Sequence, residues 1–240
     1  MNITENNTVA EVVTSNIKTA DVFKKHGIDF CCGGGISIKK ACEKNNVSFS
    51  ELEKELSNIN NNISNAYNYD NWKLDFLVDH IENIHHSYVV ENTPLVLQYA
   101  AKVAKVHGHH YTEVVEINNL FIAVAQELAS HMKKEELILF PFIKQLVKAD
   151  KEGVKANQPH FGTVNNPIAM MEEEHENAGD ILKEIKKLSN NYTPPEGACN
   201  TFKALYAKLE EFEQDLHQHI HLENNILFPK AILLEKKNNQ

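Results

Sequence analysis

The sequence predicts an all-α protein: a four-helix bundle preceded by a small helical N-terminal domain. Three observations lead there. Apolar residues recur at helical spacing from Trp72 almost to the C-terminus. Glycine and proline are scarce, at 9 and 7 residues, which argues against turn-rich β architecture. The third observation is a string that occurs twice. His131-Met-Lys-Lys-Glu135-Glu-Leu-Ile-Leu-Phe-Pro141 returns 88 residues later as His219-Ile-His-Leu-Glu223-Asn-Asn-Ile-Leu-Phe-Pro229.

The elements follow in chain order. Residues 1–57 read as a small domain whose first helix is N-capped by Thr19, buries Val22 and Phe23, and ends at Gly27. A tight loop follows, Asp29-Phe-Cys-Cys-Gly-Gly-Gly35, and helical pattern resumes over Ile38–Asn45. Ser48 and Glu51 fit a capping box for one more helix. Residues 58–71 are rich in Asn, whose amide competes for nearby backbone groups, and read as a linker.

The bundle is expected over 72–240. Its first helix runs through 72–107, with Pro94 set to kink or split it and Gly108 to end it. The second spans 111–148, with Phe121, Ala125, Leu128, His131 and Glu135 on one stripe. A long loop (149–167), a third helix (168–189), a Pro-rich connection and a fourth helix (200–234) complete it. Each Ile-Leu-Phe-Pro places proline inside a helical pattern, where it loosens the hydrogen-bond ladder and bends the helix.

Composition narrows the function. A formal charge of -9 without a basic stripe excludes a phosphate-backbone reader, so no nucleic-acid partner is expected. No apolar run approaches the roughly 18 residues of a membrane span. The N-terminal residues carry neither the charge nor the apolar core of a secretory signal, so the expected location is cytoplasmic. Four cysteines are too few and scattered for a disulfide framework, whereas thirteen histidines are many.

The repeat supplies the chemistry. Residues four apart on a helix share a face, so His131 with Glu135 and His219 with Glu223 each aim an imidazole and a carboxylate at one point. Packing accounts for a repeated Ile-Leu-Phe-Pro, but not for the repeated His and Glu. The other two helices must then contribute. The third offers His175, and the repeat offset carried back from it lands beside His85 and His86, of which His86 is taken as the ligand. Four imidazoles and two carboxylates suit two cations that share bridging carboxylates, and a di-iron site is the best fit. The H-E-x-x-H helix of a hydrolytic zinc site is absent.

The neighbouring groups read more plainly. His217 and His221 fall at the rim or surface, His109 with Glu113 at a solvated helix start, and Glu136 and Glu172–Glu174 on the surface, where one could support a ligand. Cys42 and Cys199 read as structural. The adjacent Cys31 and Cys32 read either as small buried residues or as a thiol pair for redox exchange or for passing iron.

With these residues in place, the chain resembles the RIC (repair of iron centres) family, whose members join a Cys-Cys domain to a hemerythrin-like bundle. The resemblance rests on the His-x-x-x-Glu repeats, on His86 and His175, and on the loop Asp29–Gly35, and it covers nearly the whole chain. It implies that His86, His131, His175 and His219 bind two iron ions bridged by Glu135 and Glu223. His107 matches a further histidine position, one that lines the access channel or supports the ligands. It also implies a cytoplasmic homodimer whose clients are damaged iron–sulfur proteins. The expected function is repair of clusters after oxidative or nitrosative stress, by supplying iron. The alternatives are nitric oxide reduction, or reversible O2 or NO binding as a sensor, at the same centre.

Overall fold

Val9–Ser15 forms α1 because Thr8 and Glu11 close a reciprocal capping box: Glu11 N–H donates to Thr8 Oγ1 at 3.1 Å and Thr8 N–H to Glu11 Oε2 at 2.9 Å. The computed structural model describes residues 3–59 and 69–239; most of the expected linker, residues 60–68, lies outside them. Three more short helices follow: α2 (Thr19–Lys25), α3 (Ile38–Asn45) and α4 (Phe49–Ser57). Phe23, Ile38 and Leu52 are fully buried and form the centre of this part. Thr19 lies just inside α2 rather than capping it, its hydroxyl donating to the carbonyl of Asn16. Ser48 stands at the N-cap of α4 without a cap bond, its hydroxyl paired with Ser50 instead.

The long helices are built in pieces. The first comprises α5 (Leu74–His80), a π-helical turn (Ile81–His86) and α6 (Ser87–His107). The second comprises α7 (Glu113–Lys134), a π-turn (Glu135–Leu139) and α8 (Phe140–Glu152). The third is the uninterrupted α9 (Asn165–Leu188). The fourth comprises α10 (Asn200–Leu222), a π-turn (Glu223–Leu227) and α11 (Phe228–Asn238). Among the described residues there is no β-strand, only an isolated bridge between Thr8 and Ser37. No helix among them is long and apolar enough to cross a membrane.

Contacts divide the chain into two compact units. One is Met1–Leu77 with Leu146–Ala156 and Ile220–Gln240; the other is Val78–Gln145 with Asn157–His219. Within the second, α6 packs on α7 and α7 on α9. Lys186 on α9 reaches Glu213 on α10 at 3.2 Å, and Tyr88 on α6 lies against Phe212 on α10, which closes the ring of four helices. Phe121 and Phe212 meet edge to face at 5.2 Å inside it. Within the first unit, α1 packs against the π-turn Glu223–Leu227.

Pro94 does not split α6. The carbonyl it leaves without a ladder partner belongs to Val90, an exposed residue (62%) where water can serve that oxygen.

Candidate metal centre

The two prolines of the repeat set the local backbone. Pro141 and Pro229 have no N–H to return to the carbonyls four residues back, so the ladder re-registers. Phe140 N–H donates to the carbonyl of Glu135 and Phe228 N–H to that of Glu223, five residues back in each case. Each widened turn therefore opens on a carboxylate. A third π-turn ends on His86, and there Asn83 Nδ2 takes the carbonyl of Asp79 at 2.6 Å, a side chain competing with the ladder. His175 sits on regular helix.

Two groups of possible ligands result, each with its ligand atoms within 4.8 Å of one another. One comprises His86, Glu135, His219 and Glu223; the other His131, Glu135, His175 and Glu223. Both glutamates occur in both groups, as bridging carboxylates must. Glu135 Oε2 lies 3.3 Å from Nε2 of His86 and 3.3 Å from Nε2 of His131, so one oxygen faces one histidine of each group. The Nε2 atoms of His131 and His175 are 3.0 Å apart. All six residues are buried, the two glutamates completely. A donor set of four imidazoles and two carboxylates fits a pair of iron-class cations.

The outward nitrogens of two of these histidines meet carboxylates. His86 Nδ1 lies 2.8 Å from Glu136 Oε1, and His131 Nδ1 lies 2.9 Å from Glu174 Oε2. A carboxylate there accepts the Nδ1 proton, which leaves the Nε2 lone pair directed inward. Each group thus contains one carboxylate-backed histidine. The sequence reads Glu136 and Glu172–Glu174 as surface charges of which one could support a ligand; Glu136 and Glu174 both do so, and no sequence spacing singles them out, because the contact is made between helices.

Other expectations change with burial. His221, read as a rim group, is fully buried, and burial pushes its pKa down to about 4 against a backbone hydrogen bond with Phe30. His85 is buried beside His86 and bonds Asp215 at 2.9 Å, its ring stacked 5.7 Å from that of His219. His107 stands in neither group; its Nε2 is 3.3 Å from Cys199 Sγ and its ring lies against Phe202.

The Cys31–Cys32 loop is organised by Asp29. Its Oδ1 accepts the N–H of Cys31 at 3.0 Å and of Cys32 at 3.1 Å, and lies 3.3 Å from Cys31 Sγ. Gly34 is required by close approach, since a Cβ there would stand 2.4 Å from the carbonyl of Phe30. The two sulfurs are 3.9 Å apart, as thiols. The bond to Cys32, burial and the nearby Asp29 raise the Cys31 pKa well above the usual thiol range.

Residues 77–231 match the family described as hemerythrin HHE cation binding domain, and residues 5–60 match a domain of unknown function, DUF542. Fold, paired His/Glu groups and family match together define a hemerythrin-like cation-binding protein. The iron-sulfur cluster repair protein YtfE of Yersinia pseudotuberculosis serotype IB (strain PB1/+) is 38% identical over 211 residues, covering 88% of this chain and 90% of that protein. The protein of the same name from Yersinia pestis (strain Pestoides F) is 37% identical over 215 residues, covering 90% and 91%. The chain belongs to this family of iron–sulfur cluster repair proteins.

Proposed function

We propose that this chain is a cytoplasmic, homodimeric di-iron protein that repairs iron–sulfur clusters damaged by oxidative or nitrosative stress, supplying iron to client proteins. Its bundle (72–240) holds the irons through His86, His131, His175 and His219, with Glu135 and Glu223 as bridges. Its N-terminal domain (1–57) contributes the Cys31–Cys32 thiols. The observation that carries this reading is Glu135 Oε2, equidistant at 3.3 Å from an inward nitrogen of each group. Bound iron supplies redox chemistry, open positions for NO or O2, and the transferable cation itself. The chain's own residues do the rest: Glu136 and Glu174 hold the outer imidazole protons, and the π-turns present the bridges.

The test has two arms. Protein purified without oxygen should hold two irons per chain with the Mössbauer and optical signature of a coupled pair, and Glu135→Ala or Glu223→Ala should lose one or both. Iron-loaded protein should restore activity to an inactivated cluster enzyme, and Cys31→Ser with Cys32→Ser should slow the recovery. Two irons retained in either glutamate variant with an unchanged spectrum would remove the bridging assignment. Steady nitrous oxide production without client recovery would favour NO reduction instead.

A further inference from the structure

The two copies of the repeat agree where they serve the metals, so their differences show what only one copy does. At the position after the first x of the string, Lys133 in the first copy becomes His221 in the second. Two residues beyond the glutamate, Leu137 becomes Asn225. In the first copy both positions are exposed, Leu137 at 75%. In the second, His221 is fully buried and Asn225 half-buried, four apart on one helix face and turned away from the face of His219 and Glu223.

What covers them is the thiol loop. Asn225 Nδ2 lies 3.3 Å from the carbonyl of Phe30, 3.2 Å from that of Cys31 and 3.0 Å from His221 Nδ1. The Phe30 ring packs against the His221 imidazole with centroids 6.0 Å apart. Two successive loop carbonyls thus converge on a single side-chain amide. From the other end the loop is tied by Ala10 N–H donating to the carbonyl of Gly34 at 2.8 Å. The outcome is an unequal pair: Cys31 is buried at 4% exposure, whereas Cys32 is partly open.

We propose that His221 and Asn225 are positioning residues, a clasp grown on one copy of a duplicated metal-binding string that seats the Phe30–Cys31 backbone, masking Cys31 and presenting Cys32. The purpose of such a pair rests on the repair reading, but the clasp itself is read without any client. Full-length, iron-loaded, reduced protein is treated with iodoacetamide, and the alkylation rate of each cysteine is followed by mass spectrometry. In the wild type Cys32 should react much faster than Cys31. Asn225→Leu, which restores the residue of the first copy, and Asn225→Asp, which keeps the shape but cannot donate, should each speed Cys31 by about fivefold or more, the equivalent of one lost hydrogen bond. Buried Cys42, on α3 of the same unit, is the internal control and should keep its wild-type rate. An unchanged Cys31 rate in both variants overturns the clasp, and so does a parallel rise at Cys42, which marks general loosening. Labelling as expected without recovery of a client enzyme would leave the clasp standing and remove the repair role.

Discussion

Glu174 answers to two partners at once: Lys134, which donates to Oε1, and His131, whose Nδ1 faces Oε2. Burial pushes its carboxyl up, but the Lys134 and His131 contacts outweigh that, and its pKa settles below the usual carboxylate range. It is therefore ionised wherever the metal site is assembled, and able to hold the His131 proton. Glu174→Gln, and separately Glu136→Gln, should weaken metal affinity by about 10- to 100-fold while leaving the fold intact, as measured by competition with a chelator. His85 and His86 separate in the same way. His86→Ala should lose iron. His85→Ala should keep it, yet cost roughly 1–3 kcal/mol in denaturant unfolding because it strands Asp215. Of the six residues proposed as ligands, His131, Glu135, His219 and Glu223 are marked in the sequence by a repeat and a fixed helical spacing, His175 by being the single histidine of its helix, and His86 only by a choice against the adjacent His85. Their carboxylate supports are not so marked, since Glu136 meets His86 and Glu174 meets His131 across helices, where no spacing rule runs. His221 was misread for a related reason: its burial comes from a loop nearly 190 residues away in the chain.

At the scale of elements, proline at the end of each string announces a disturbed ladder, but not that the disturbance is a widened turn beginning on the glutamate proposed as a bridge. Pro141→Ala and Pro229→Ala supply the missing N–H and should let each turn close into regular α-helix. The expected result is a metal-free protein at least as stable as the parent by thermal unfolding, combined with about tenfold weaker iron binding, since a closed turn rotates the carboxylate. Lower stability together with unchanged affinity would disconnect the prolines from the site. α1 was overlooked although Thr8 and Glu11 form the very capping box that was credited to Ser48 and Glu51, where Ser48 instead bonds Ser50. The pattern of residues permits a cap; only competition among nearby hydroxyls decides whether it forms. Pro94, expected to kink or split its helix, does not split it, and the residue whose carbonyl loses its ladder partner, Val90, lies exposed where water can serve it.

For the molecule as a whole, the residues proposed as ligands come from four segments far apart in sequence, so any cation they hold ties those segments together. Stripping iron with a chelator should lower the melting temperature, by the equivalent of about 2.7 kcal/mol where metal was present at a hundred times its Kd. A melting temperature indifferent to metal would mean that binding occurs elsewhere. Helical class and bundle were readable from periodicity, since each long helix shows its own apolar stripe. Which elements would share a compact unit was not, because that depends on packing between stripes that look alike on paper. The π-turns carry one last consequence. Each is, in effect, an α-helix holding a single surplus residue, absorbed locally so that everything downstream keeps its place in the core. Loss of one codon within such a turn would be invisible to the fold and fatal to the ligand beside it. A descendant of this gene could thus abandon metal by one small deletion and still inherit an intact scaffold.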